Sequence, residues 1–227
     1  MRHAFSFPEH IRGALKNHIE KAVSGIDMKR YHQEPAYTAA LARSLEGTVY
    51  QGEDGYVKIE STIVSDRGPL AAESWSGADL VITASISDRN QNIRKAILVQ
   101  SKIGSINELS PNRISELKEQ VRKMKKFTNS VKVMEIPQEN GRRRPRIISG
   151  QRILASEPYT GYDLSDYFVR RIVTTLDGDT RPKFVEAAQD SRLTQLRVLA
   201  NLGGKQLTSH VVKPKESKIP TLVKVLG

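Results

Sequence analysis

The chain has 227 residues, 38% hydrophobic and 27% charged, with 36 Lys and Arg against 25 Asp and Glu for a formal charge of +11 and a pI near 9.8. That length suits one domain with additions, or at most two small ones, and the charge balance makes a polyanion the expected partner. Cysteine is absent, which excludes a disulfide framework and thiolate metal sites; no apolar leader opens the chain and no run approaches about eighteen apolar residues, so the sequence reads as cytoplasmic without a membrane span.

In chain order, FPEHIRGALKNHIEKAVSG predicts an amphipathic helix ending at Gly25, with Pro8 near its start and Ile11, Leu15, Ile19 and Val23 at helical spacing. Residues 1–30 form an N-terminal helical extension on this reading. No His-x-x-x-His pairing occurs among the five histidines, so no histidine metal site is expected. EPAYTAALARSL predicts a second helix over Glu34–Leu45, with Pro35 in its first turn and Tyr37, Leu41 and Leu45 as its stripe. Glu34 at its head either complements the helix dipole or reaches toward a site. TVYQGEDGYVKIESTIVSD then gives a turn and a first core strand, or a hairpin of its own, with a break after it at Arg67-Gly68-Pro69. Glu60 and Glu73 are spare carboxylates on the approach to the most polar-marked strands of the chain.

The stretch Gly77 to Lys102, SGADLVITASI–SDRNQNIRK–AILVQSK, reads as two apolar strands joined by a polar loop. Folding it about Asn90 and Gln91 sets Asp79 opposite Lys102, with Gln100 on the same face as Lys102 and Ser101 pointing away. An acid, an amide and an ammonium thus meet at the ends of strands otherwise made of Leu, Val and Ile, where such groups need a partner or a task.

After Lys102, SPNRISELKEQVRKMKKFT predicts a helix with Ser110 as N-cap, Pro111 at the first position, and Ile114, Leu117, Val121, Met124 and Phe127 as its stripe. Gln120 on it either faces the Gln100 edge or is solvated. VKVMEIP is a strand ended by Pro137. Arg122, Lys123, Lys125 and Lys126, then Arg142, Arg143, Arg144 and Arg146, are basic clusters flanking that strand; they bind phosphates, or the GRRRPR run is a solvated loop. RIISGQRILAS predicts a further strand, YDLSDYFVRRIVTTL a helix with Leu164, Phe168, Ile172 and Leu176 in register, and PKFVEAAQDSRLTQLRVLANLGG another helix stopped by paired glycines. A soft boundary falls near Gly150, leaving residues 151–227 as a C-terminal strand and helix addition.

At Gly-Ala-Asp79 and Gln100-x-Lys102 the sequence resembles the PD-(D/E)xK nuclease superfamily, in a variant with Gln-x-Lys for Glu-x-Lys, over roughly residues 31 to 150. The order helix, strand, hairpin, helix, strand is that of the superfamily's core. The resemblance implies an α/β fold, a restriction-endonuclease-like core with a central mixed β-sheet flanked by helices (αβββαβ). It implies Mg2+, with Mn2+ able to substitute, held by Asp79, Gln100 and the Ser101 carbonyl. Lys102 would orient or deprotonate the attacking water, and Glu34 would approach Asp79 as the family's first-helix acid does. Since Gln100 offers oxygen without charge, weak metal binding is expected. The implied activity is a metal-dependent endonuclease, acting on DNA and serving in restriction or anti-phage defence, with Arg122, Lys123, Lys126, Arg142, Arg143 and Arg144 on the nucleic acid. Control by a partner subunit or by homo-oligomerisation is expected of a small nuclease without a base-reading module. The other reading is a non-catalytic nucleic-acid-binding or assembly subunit on the same fold.

Overall fold

A computed structural model of the chain describes residues 5–64, 75–138, 144–174 and 176–203. Two helices open it, α1 (Glu9–Ser24) and α2 (Glu34–Leu45), and both carry the expected stripes: Ile11, Leu15, Ile19, Tyr37, Leu41 and Leu45 are all buried. Next are four strands, β1 (Gly47–Gly52), β2 (Gly55–Thr62), β3 (Leu80–Asp88) and β4 (Asn92–Ile103). The open question of a single strand or a hairpin before the break resolves as the β1–β2 hairpin. Then come α3 (Pro111–Lys125), β5 (Val131–Ile136), β6 (Arg146–Ser149), α4 (Gly150–Ala155), β7 (Tyr162–Asp163), α5 (Leu164–Tyr167) running into a π-helical turn at Phe168–Ile172, α6 (Pro182–Gln189) and β8 (Thr194–Leu202).

These strands form one eight-stranded mixed sheet in the order β1-β2-β8-β3-β4-β5-β6-β7, parallel between β8 and β3 and between β4 and β5. Helices cover both faces, so the molecule is α/β. One face packs on α1, α2 and α5 through residues such as Leu80, Ile82, Val99 and Met134; the other packs on α3, α4 and α6 through Val81, Leu98, Val133 and Phe184. Burial on both faces explains why β3 and β4 carry near-continuous apolar runs rather than a clean alternation. Each fully buried aliphatic side chain on these strands contributes roughly 1.5–3 kcal/mol.

Three expectations on secondary structure are corrected. The helix anticipated from Pro182 through Leu202 stops at Gln189, and Thr194–Leu202 is β8. Leu196, Val198 and Ala200 are buried at every second residue, which suits a strand, and β8 fills the slot between β2 and β3. The strand anticipated over residues 146–156 is only Arg146–Ser149; α4 starts at Gly150, which packs so closely on β5 that a Cβ there would meet Val131 Cγ1 at 2.8 Å. Leu176 is 57% exposed rather than in register with Leu164, Phe168 and Ile172. The π-helical turn advances the chain out of a 3.6-residue period before Leu176 is reached.

The sheet crosses the boundary expected near Gly150: residues on both sides of it supply neighbouring strands, and β8 stands at its centre. Glu60, on β2, is separated from β3 by β8 and pairs with Lys58 at 2.9 Å. Glu73 lies outside the described residues.

Candidate functional site

The β3–β4 hairpin turns at Arg89–Asn90, not at Asn90–Gln91. The Asp88 carboxylate accepts from the backbone N–H groups of Asn90 (2.7 Å) and Gln91 (2.9 Å), and the Asp88 N–H donates to the Gln91 carbonyl at 2.9 Å. Those donors, the Asn90 N–H first, hold the Asp88 carboxyl below its usual pKa. An Asx turn of this kind sets the register from within the loop. The last ladder pair is therefore Leu80 with Val99, and Asp79, one residue further out, stands beside Gln100 rather than Lys102. Because the slip is by an even number of residues, no side chain changes face.

The result is a tight contact between the expected residues. Gln100 Nε2 donates to Asp79 Oδ2 at 2.6 Å, and the Ser101 N–H donates to the same oxygen at 2.7 Å. Gln100 is fully buried, and its Oε1 has no hydrogen-bond partner among the described residues. Leaving a buried amide oxygen unpaired costs about 1–3 kcal/mol, so a site that carries one invites a cation or a proton donor. The Ser101 side chain points through the sheet to α2, where its Oγ meets Thr38 Oγ1 at 2.9 Å; Thr38 in turn donates to the Glu34 carbonyl at 2.8 Å.

Lys102 forms a second cluster with the head of α2. Its Nζ lies 3.1 Å from Glu34 Oε2, and Glu34 Oε1 accepts from the Ile103 N–H at 3.2 Å and lies 3.5 Å from Arg113 Nη2. Glu34 thus grips β4 at Lys102 and Ile103, while Asp79 grips it at Gln100 and Ser101. Sequence reasoning misses Thr38 and Arg113; the available signals are Thr38 lying one turn after Glu34, and Arg113 standing in the first turn of a helix capped by Ser110.

Gly77 makes the close approach of this segment to α3 possible. Its φ is +75°, and a Cβ there would sit 2.6 Å from the Gln120 carbonyl oxygen. The Gln120 backbone thus lies against Gly77, and its side-chain Oε1 is also buried without a partner among the described residues. The donors gathered here are all oxygen, which suits a hard divalent cation such as Mg2+. No group of three or more His, Cys, Asp or Glu side chains occurs among the described residues, so carboxylate charge is sparse. Gln100 turns its Nε2 to Asp79 Oδ2 and, at 3.2 Å, to the Ser101 carbonyl, so Asp79, Gln100 Oε1 and the Ser101 carbonyl would hold such an ion together only with the Gln100 amide turned over.

The basic residues separate. Arg122 pairs with Glu119 on the outer face of α3 at 3.4 Å, Lys123 is half-buried, and Lys126 is exposed at the end of the helix. Arg144 is bound to Glu20 of α1, on the opposite face of the sheet. Arg142 and Arg143 lie outside the described residues.

A second polar cluster leaves no signal in the sequence. Lys95, in mid-β4, is 1% exposed, with its stem packed under Gly178 and its Nζ 3.3 Å from the Arg171 carbonyl. Asp177 lies 3.1 Å from Lys132 Nζ and 3.2 Å from Arg171 Nε. Burial pulls the Lys95 ammonium down to about 7, against the attraction of Asp177. Burial also pushes the Asp177 carboxyl upward, but Lys132 and Arg171 overcome it and hold the group below its usual value.

No helix among the described residues is long and apolar enough to cross a membrane. No family model, curated protein or solved structure matches the chain.

Proposed function

We propose that the chain is a metal-dependent nuclease with a restriction-endonuclease-like core, hydrolysing phosphodiester bonds of DNA at Asp79, Gln100 and Lys102. The observation that carries this is the buried Gln100 carboxamide, bonded to Asp79 through nitrogen and left with an unpaired oxygen, two residues from the Lys102 ammonium. The +11 charge and the resemblance at Gly-Ala-Asp79 and Gln100-x-Lys102 support it.

A divalent cation bound there supplies a polarised phosphate and a more acidic water. The protein's own groups do the rest. Asp79 is fixed by Gln100 and the Ser101 N–H, so it needs no reorganisation to present its charge. Lys102 offers three donors on a flexible stem, and Glu34, 3.1 Å away, holds its ammonium at the edge of β4. From there it orients the attacking water and offsets the negative charge that gathers on phosphate oxygen as the water adds to phosphorus and the P–O ester bond breaks. Arg113, 51% exposed and 3.5 Å from Glu34, is placed to meet a phosphate at the same edge.

A second reading, a nucleic-acid-binding subunit that does not cut, is favoured by one fact: Lys102 is 3.1 Å from Glu34, and this pair together with Arg113 is also a sound structural clasp. Incubation of supercoiled plasmid with the full chain and Mg2+ or Mn2+ separates the two. Asp79→Asn and Lys102→Met should each lower the nicking rate about 10²–10³-fold. Nicking that survives both substitutions removes this site, and no nicking with either metal leaves the binding reading. A defence role, and control by a partner subunit or a second copy, belong to the same proposal; free nicking of host DNA in cells by an isolated monomer would overturn that control.

A further inference from the structure

Beyond the hydrolytic site, the sheet face that carries α3 and α6 holds an open cleft of about 520 Å³ between the end of α3 and the loop before α6. Lys125, Lys126, Phe127, Asn129, Thr180 and Arg181 are among its lining residues. Its two walls are tied together by one side chain. Arg181 donates through Nε (3.0 Å) and Nη2 (2.6 Å) to Asp179 Oδ2, and through Nη2 to the Phe127 carbonyl at 2.6 Å. Asp179 also accepts from the Thr128 hydroxyl at 2.7 Å, and its backbone pairs with Ala96 of β4. The cleft is thus braced to the sheet, and Arg181 and Asp179 cancel each other's charge.

What remains uncancelled is positive. Lys125 Nζ donates to the neutral amide of Gln151 at 2.7 Å, and among the described residues neither Lys125 nor Lys126 meets a carboxylate. The cleft therefore shows two uncompensated ammonium groups over a polar floor that includes Asn129 and Thr180, with the Phe127 ring at one side. Phe127 stacks edge-on to Trp75 at 5.5 Å between ring centroids, and Trp75 is only four residues before Asp79. Cleft and site are thereby joined along α3. Ala96 of β4, which pairs with Asp179 of the cleft, precedes Gln100 by four residues and Lys102 by six, or roughly 13–20 Å of strand at ~3.3 Å per residue. A nucleic-acid strand advances about 3.4 Å per nucleotide along a duplex axis, so that span corresponds to roughly four to six nucleotides.

We propose that this cleft binds the phosphate backbone of the nucleic acid, roughly four to six nucleotides away from the bond presented to Asp79 and Lys102. The assignment of phosphate as its ligand rests on the cleft itself; only the direction of the strand rests on the nuclease reading. Two ammonium groups on a polar, braced floor recognise a repeated anion without reading bases.

The test is fluorescence anisotropy of a labelled 20-base-pair duplex with the full chain in EDTA, over a series of salt concentrations, so that no cleavage enters the readout. The double variant Lys125→Glu, Lys126→Glu should bind at least tenfold more weakly, and the slope of log affinity against log salt should fall in magnitude by about 2. The milder pair Lys125→Gln, Lys126→Gln should lie between it and the parent chain. A charge-matched control on the other face of the sheet, Lys21→Glu with Lys29→Glu, should change affinity less than twofold. The proposal is overturned if the cleft variants bind like the parent chain, if the control pair weakens binding equally, or if the parent chain binds no duplex. Binding lost in the cleft variants of a chain that never cuts DNA would sustain the cleft and sink the hydrolytic reading. Cutting that depends on Asp79 but is indifferent to the cleft would do the reverse.

Discussion

Replacing Lys95 with Met should make the protein more stable at neutral pH and leave it no more stable at high pH. Lys95 is 1% exposed, and burial pulls its ammonium from the ordinary lysine value of 10.5 down to about 7. Between those two values the unfolded chain binds a proton that the folded chain does not, so folding stability rises with pH across the window. At about 1.36 kcal/mol per unit, carrying Lys95 costs roughly 4 kcal/mol at pH 7 and almost nothing by pH 10. Met keeps the unbranched stem under Gly178 and forfeits only the 3.3 Å bond to the Arg171 carbonyl, worth about 1 kcal/mol. Asp177 retains Lys132 and Arg171 as partners. The expected gain for Lys95→Met is therefore about 3 kcal/mol at pH 7, shrinking by about 1.4 kcal/mol per pH unit and vanishing near pH 9. Urea titrations monitored by the fluorescence of Trp75, the chain's single tryptophan, at pH 7, 8, 9 and 10 would show it as a midpoint shift of roughly 1 M that closes with pH. A variant that is less stable at every pH, or a difference flat in pH, would refute the reasoning.

Gly77→Ala forces a side chain into φ +75° and within 2.6 Å of the Gln120 carbonyl; a loss of about 2–4 kcal/mol in a denaturant titration is expected, with DNA nicking falling further than the unfolded fraction explains. Thr38→Val removes the hydroxyl that bonds Ser101 across the sheet, and should cost about 1–2 kcal/mol in the same titration, because Ser101 is fully buried and is left unpaired. Asp88→Ala should cost about 0.5–1 kcal/mol at neutral pH. Since the Asp88 carboxyl titrates below its usual value, the parent chain's advantage should hold at pH 5 and above and fade as pH falls through the acid range, as thermal melts across pH 2–7 would reveal. Arg113→Ala leaves Glu34 with Lys102 and the Ile103 N–H; stability should change by less than 1 kcal/mol, while nicking at low substrate concentration drops several-fold.

The residues of the candidate site are legible in the sequence because they break a rule: Asp79, Gln100 and Lys102 are polar groups at the ends of strands that otherwise read as continuous core. Their mutual register is not. The midpoint of the polar loop suggests one pairing, whereas the Asp88 carboxylate, gathering the Asn90 and Gln91 N–H groups, fixes the turn one residue earlier. β8 escapes because LRVLANL satisfies a helical stripe and a strand alternation equally well over so short a run. What decides between them is a slot between β2 and β3, more than a hundred residues away in sequence. Lys95 looks like the last polar residue of a loop, and only the return of Gly178 over its stem buries it. Contacts that depend on distant segments meeting leave no periodic trace in the segments themselves.

The central position of β8 has a consequence for how the protein comes into being. Every strand before it is synthesised earlier, yet β2 and β3 touch only through β8, so an emerging chain has two half-sheets with open edges until residue 202 is made. Closure is then a long-range event, of the kind that slows folding. The β3–β4 hairpin that brings Asp79 to Gln100 lies within one of those half-sheets, so the candidate site's own contacts do not wait for β8.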